Sequence, residues 1–280
     1  MRILRPALLT ACLAALACVP ALGQAEPKAK PAMAKPTGPT ALLSLAKDST
    51  QLTVEVNGQG VYYAAQLDDL ATGGSASLSY RSQLLVNWEY LEAPELTILG
   101  ATSAKSRYST AGLDVELKQT LSAGPLTDSY LLNQRYTLSN PGTEAITVPV
   151  SRYQDSDLFT GAWEWTDAGY MPAKGKWTYL LSELSPQSST VTNYVGISLS
   201  GGTEGRRVVR DCCGQTEVTA EENGLVSGDA DGDGTSDYGN DRAMTQQRLV
   251  TVPAGQRVTI TAQTLFGHTA LSSRADLPTK

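Results

Sequence analysis

Apolar residues recur at every second position along much of this chain, and that alternation limits its possible folds more than any other feature. Leu52, Val54 and Val56 alternate with Gln51, Thr53 and Glu55; Leu113, Val115 and Leu117 alternate with Asp114, Glu116 and Lys118. The pattern returns at Ile146, Val148 and Val150, at Val195, Ile197 and Leu199, and at Val258, Ile260 and Ala262. Successive side chains of an extended strand point to opposite faces, so each run reads as a strand with one face buried and one wet. Between the runs stand Asn57-Gly58, Asn140-Pro141-Gly142, Gly201-Gly202 and Pro253-Ala254-Gly255, residue types that supply the dihedrals of tight turns. No apolar run of helical period is long enough to compete. The expectation is an all-β chain of antiparallel sheets, packed as a β-sandwich of supersandwich size or closed as a barrel.

The ends of the chain are different. Arg2 and Arg5 precede an Ala/Leu-rich run from Ala7 to Leu22, and small residues follow at Gly23 and Ala25. This is the composition of a signal peptide, so residues 1–25 are set apart from the fold. Residues 26–40 are Pro, Ala and Lys with hardly a core-forming side chain, which is the make-up of an extended tether. The domain is then residues 41–280. Losing the leader lowers Lys+Arg from 22 to 20 against 28 Asp+Glu, a net charge of -8. Such a surface argues against nucleic acid and anionic membranes as partners. No later stretch is apolar enough for a transmembrane helix. The localisation expected is extracytoplasmic.

One stretch demands a particular chemistry. Asp229, Asp231 and Asp233 occupy positions 1, 3 and 5 of a loop, Gly234 position 6, Thr235 position 7 and Asp237 position 9. A hard cation needs six to eight oxygens, and a tight turn with carboxylates at alternate residues brings several inward together. The run resembles the D-x-D-x-D-G calcium loops of dockerins, thrombospondin type 3 repeats and EF-hands. It departs from them at position 12, where Asn240 stands in place of glutamate and Asp241 follows. The flanking sequence also lacks the helix pair of an EF-hand. The expected metal residues are Asp229, Asp231, Asp233, Thr235, Asp237 and Asp241, holding Ca2+ in a loop spanning 229–241 that braces strands and does not act as a switch.

A second resemblance concerns the fold. Tyr136 to Glu144, followed by Val150 to Leu158, is similar to a strand-turn-strand passage in secreted bacterial β-sandwich modules, which implies the architecture and no activity.

Cys212 and Cys213 are the only cysteines outside the leader, and they are adjacent. A vicinal disulfide is the reading preferred, with pairing across a dimer and two buried thiols as the others. Between Tyr153 and Tyr170 lie Asp155, Asp157, Trp163, Glu164, Trp165 and Asp167. Rings beside carboxylates suit the stacking and hydrogen bonding of a sugar, although large aromatics more commonly fill a core. Asp155 and Asp157 share a strand face, at a spacing compatible with the paired carboxyls of glycoside hydrolysis. His268 is the sole histidine, and no Gly-x-Ser-x-Gly elbow accompanies it. The sequence therefore points to an exported, calcium-stabilised binding or structural module of the envelope, with a glycan as the first expected ligand at Trp163, Trp165, Asp155 and Asp157. The rival reading is a carbohydrate-active enzyme using Asp155, Asp157 or Glu164.

Overall fold

The computed structural model describes residues 39–71, 73, 75–79, 81–87, 94–156, 158, 167–183, 191–212, 217–268 and 274–279. Five strands come first: β1 (Thr40–Lys47), β2 (Thr50–Asn57), β3 (Tyr62–Asp69), β4 (Ser75–Ser79) and β5 (Arg81–Val86). Next are β6 (Leu96–Gly100), β7 (Ser103–Thr110), β8 (Leu113–Ala123), β9 (Ser129–Ser139) and β10 (Ile146–Asp155). The last are β11 (Ala168–Tyr170), β12 (Thr178–Glu183), β13 (Val191–Ser200), β14 (Thr203–Asp211), β15 (Arg242–Val252) and β16 (Arg257–Gly267), followed by a single helical turn at Arg274–Asp276. The strands form two antiparallel sheets of eight. One runs β1-β2-β3-β5-β10-β15-β14 with β4 on β3, and the other runs β11-β12-β13-β16-β9-β8-β7-β6.

The period-two pattern accounts for most of these elements. Leu52, Val54 and Val56 on β2 and Leu113, Val115 and Leu117 on β8 are buried, while the residues between them are half-buried or exposed. The turns do more than reverse the chain. Asn57-Gly58 joins the neighbours β2 and β3, but Asn140-Pro141-Gly142, Gly201-Gly202 and Pro253-Ala254-Gly255 each carry the chain from one sheet to the other. These arches stack the sheets face to face and make a sandwich.

Between the sheets lie two apolar clusters. One includes Leu43, Val54, Leu132, Ile197 and Phe266; the other includes Val115, Tyr136, Val150, Val250 and Ile260. A third cluster, with Trp177, Tyr179, Tyr194, Leu265 and Leu277, covers the outer face of the second sheet at its β11–β13 end. There the C-terminal segment closes over the strands, and Lys176 N–H donates to the Thr279 carbonyl at 3.0 Å.

A polar bolt crosses the interior as well. Arg152 on β10 is fully buried and points across to the facing sheet. Its guanidinium donates to Gln134 Oε1 on β9 at 2.9 Å and to Thr264 Oγ1 on β16 at 2.6 Å. Gln134 Nε2 then donates to Gln119 Oε1 and to the Gly60 carbonyl, and Gln119 Nε2 to the Asn57 carbonyl, each at 2.7 Å. Each buried polar side chain in this series makes at least one hydrogen bond, as burial requires.

At one side of the sandwich the first sheet's edge strand β1 meets the β6–β7 turn, where Ser44 N–H donates to the Ala101 carbonyl at 2.8 Å. The opposite side is closed by the excursion between β14 and β15. No helix of the described residues is long and apolar enough to cross a membrane.

Candidate functional site

The excursion between β14 and β15 first adds to the edge of the first sheet. Val226 bridges Val209 in parallel, with Val209 N–H donating to Leu225 O and Ser227 N–H to Val209 O. The chain then turns through the Asp-rich loop and reaches the other sheet. Met171 N–H donates to Gly234 O at 2.8 Å and Ser236 N–H to Gly169 O at 2.9 Å, so residues 234–236 pair with β11. Asp167 and Asn240 exchange both backbone hydrogen bonds, at 2.8 and 3.1 Å. One loop thus joins the β14 edge of one sheet to the β11 edge of the other.

Within the loop the carboxylates organise the backbone. Asp229 Oδ1 accepts from the N–H groups of Gly232 and Asp233, and its Oδ2 accepts from Gly234 N–H at 2.9 Å. Asp231 Oδ1 accepts from Asp233 N–H, and Asp233 Oδ1 from Thr235 N–H. The result places ligand atoms of Asp229, Asp231 and Asp233 within 4.8 Å of one another. Asp231 and Asp233 are exposed, and Asp229 is half-buried.

Thr235 forms the non-hydrogen-bonded kind of antiparallel pair with Tyr170, because the bonds are made by the residues flanking each. Its own N–H and C=O therefore turn away from β11, toward the side where its N–H meets Asp233. Gly234 has φ +85°, and a Cβ there would lie 2.7 Å from the Met171 carbonyl. Glycine serves both the bend and the close approach of the loop to β11.

The remaining expected ligands are placed differently. Asp237 reaches across the loop, its Oδ2 accepting from Ala230 N–H at 2.8 Å. Asn240 Nδ2 donates to Asp211 Oδ1 at 3.3 Å. Asp241 belongs to another group, in which its carboxylate lies within 4.8 Å of Asp155 and Cys212. Arg242, with a fully buried side chain, fixes the exit of the loop by donating to Asp211 Oδ1 at 2.9 Å and to Tyr238 O at 3.2 Å.

The second acidic region is described only at its ends. Asp157, Trp163, Glu164 and Trp165 lie outside the described residues, as does Cys213. Asp155 ends β10 and is buried, with its Oδ2 3.2 Å from Cys212 Sγ. Cys212 is disulfide-bonded, so its sulfur has no proton to donate, and the Asp155 carboxylate packs against the disulfide. Asp167 is fully buried and Oδ1 accepts from Leu158 N–H at 3.1 Å, which pins the start of the segment to its end. Trp177 is buried in the outer cluster with Tyr179, their centroids 6.0 Å apart. His268 is exposed and its Nδ1 meets Asn193 Oδ1.

The segment 217–222 folds over the outer face of the first sheet. Arg206 donates to Val218 O and Arg210 to Glu217 O, while Val218 is fully buried. Burial and the neighbouring Glu222 act oppositely on Arg210, and burial prevails, holding its pKa below the usual arginine value.

No protein-family model matches the chain, and no curated protein matches it. Solved structures similar to it include a galactose mutarotase related enzyme from Lactobacillus acidophilus, at 6% identity and TM-score 0.44, covering 82% of this chain and 98% of that one. A second, described as an aldose 1-epimerase from Escherichia coli K12, has 9% identity and TM-score 0.38 over 82% of this chain and 100% of that one. At these scores neither likeness assigns an activity.

Proposed function

We propose that the chain is an exported β-sandwich module, braced by calcium, that binds glycan at the cell envelope and performs no chemistry on it. The observation that carries the calcium part is the loop joining the β14 and β11 edges, with Asp229, Asp231 and Asp233 converging on its exposed side. Three carboxylates this close repel one another in water, and a hard cation relieves that repulsion. The Thr235 carbonyl and the Asp237 carboxylate, which reaches across the loop to Ala230 N–H, would be the further oxygen donors. Asp241, grouped with Asp155 and Cys212, is no longer needed in the set. Because the loop holds two sheet edges, an ion here stabilises the whole sandwich and does not open a groove.

Export is supported by the leader-like first 25 residues and by the disulfide at Cys212, a bond of oxidising compartments. Glycan as ligand rests on the aromatic and acidic make-up of residues 153–170. The hydrolase reading is weakened by one observation: Asp155 is buried against the disulfide, where it is poorly placed to meet a substrate oxygen or a water. The test is thermal unfolding of the purified chain with and without millimolar calcium, alongside a glycan array probed in both conditions. Calcium-raised stability with retention of a glycan and no turnover agrees with the proposal. An unchanged melting temperature removes the brace, and turnover of a retained glycan, lost in Asp157→Asn, makes the chain an enzyme.

A further inference from the structure

The outer face of the second sheet is divided. Its β11–β13 end is covered by the third apolar cluster and the C-terminal segment, whereas its β6–β9 end, the adjoining part of β16 and the Ser200 end of β13 are not covered by them. Strand register sets the side chains of this bare half in rows. One row runs Thr97, Lys105, Lys118, Arg135, Thr261 and Ser200, across β6, β7, β8, β9, β16 and β13. Three cations therefore stand directly opposite one another on adjacent strands, and all three are exposed.

Like charges in directly opposed positions destabilise a sheet, and this chain has an acidic balance overall. The acids sharing this half of the face make their hydrogen bonds outside the row, with Lys105 acting on Glu116 only at longer range. Glu116 accepts from Arg107 at 2.6 and 2.9 Å, and Asp114 accepts from Ser109 Oγ at 2.8 Å. Among the described residues, Lys105, Lys118 and Arg135 make no side-chain hydrogen bond or ion pair. In the next two rows Arg107 is offset by Glu116 and Arg257 by Asp114, and these four residues line a cavity of about 530 Å³ with Tyr108 and Thr137.

We propose that this row binds an extended acidic polysaccharide, a chain carrying one carboxylate per sugar. Cations about 4.8 Å apart on successive strands present a line of charge, roughly 24 Å long with its flanking hydroxyls, that an extended polyanion can follow. Thr97, Thr137, Thr261 and Ser200 beside the cations suit sugar hydroxyls. A bilayer is the poorer fit, since a membrane-binding face carries apolar side chains among its cations. Here the exposed large apolar residues of this sheet, Ile98 and Leu99, sit on edge strand β6 at one end of the row. The surface lies at the opposite half of the sheet from β11, so it stands independently of the calcium loop and of the aromatic segment.

The experiment compares the full chain with a Lys105→Gln, Lys118→Gln, Arg135→Gln variant on polygalacturonate, on its methyl-esterified form and on phosphatidylglycerol vesicles. The wild type is expected to bind polygalacturonate, more weakly as salt is added, and to ignore the uncharged ester. At roughly fivefold per cation, the triple variant should bind about a hundredfold more weakly. Without polymer its melting temperature should equal or exceed that of the wild type, because repulsion has been removed. If the triple variant does not fold, Lys118→Gln alone should lose about fivefold. Undiminished binding by the variants, equal binding to the ester, or binding to vesicles in preference to polygalacturonate overturns the proposal.

Discussion

Substituting Asp231 by Asn tests the calcium brace most cleanly, and the hydrogen bonds within the loop explain why. Asp229 accepts three backbone N–H groups, so its loss would unmake the turn whether or not calcium binds. Asp231 accepts only Asp233 N–H, which Asp229 also holds, and an Asn side-chain carbonyl can keep that bond. The substitution therefore removes a charge from the triad and leaves the loop shaped. A site of extracellular type binds calcium at about 0.1–1 mM. At about 10 mM calcium the wild type then gains about 1.4–2.7 kcal/mol by mass action. For a domain of this size each kcal/mol moves the melting temperature by about 2–4 °C, giving a rise of about 3–11 °C. Asp231→Asn should lose at least half of that rise. In chelator it should melt no lower than wild type, since one of three mutually repelling carboxylates is gone. Differential scanning calorimetry at both conditions reads the difference. A calcium-dependent rise of equal size in both proteins would place the ion elsewhere, and no rise in either would refute the reasoning outright.

Other expectations follow from single contacts. Gly234→Ala should cost about 3 kcal/mol, because left-handed strain is joined by the collision with the Met171 carbonyl; Gly232→Ala, at φ +78° with open space around it, should cost only about 1–2 kcal/mol. Urea unfolding distinguishes the pair, and equal costs would remove the close approach from the account. Arg152→Ala should lose about 3–5 kcal/mol by opening a cavity and stranding the acceptors on Gln134 and Thr264, with Arg152→Met losing less. A loss under about 1 kcal/mol for the alanine variant would deny the bolt its structural role. Hydrogen bonding and charge from Arg107 hold the Glu116 carboxyl below the usual range, so the pair's contribution is in place above the unfolded pKa near 4.3 and fades as pH falls through the folded value. Both side chains are largely exposed, which keeps the contribution below about 1 kcal/mol. The difference in melting temperature between wild type and Arg107→Gln should shrink on acidification from pH 7 to pH 3, and a constant difference would argue against the pairing.

The strands were legible because burial on one face imposes a local rule that each residue obeys without reference to distant ones. Leu52, Val54 and Val56 needed nothing beyond their own spacing. Where both faces are covered the rule disappears: from Val150 to Ser156 every residue is buried, and Arg152 and Asp155 look like surface polar residues in the sequence. Turn composition showed where the chain bends but not whether the next strand lies in the same sheet, since Gly201-Gly202 and Asn57-Gly58 carry the same glycine signal and do different work. The Asp-rich loop was visible as a ligand pattern, and Gly234 as its bend. Its position between two sheet edges was not, because that depends on pairing with Gly169 and Met171, more than sixty residues earlier. Spacing alone groups Asp241 with the loop, whereas the fold also sets its carboxylate within 4.8 Å of Asp155 and Cys212, just before β15 begins. The cationic row was hidden for a related reason: Lys105, Lys118 and Arg135 each occupy an ordinary outward position, and only register sets them side by side.

The loop's grip on β11 and β14 has a consequence for how the protein meets other chains. A sandwich has four edge strands, and every uncovered one offers a row of backbone donors and acceptors to another chain. Here the β1 side is met by the β6–β7 turn, and the β11 and β14 edges are occupied by residues 224–240. If this loop lifted, both edges would be laid open at once, with Val209 and Gly169 at their centres. Such a molecule could remain largely folded and still join others edge to edge, so its failure would be aggregation before unfolding.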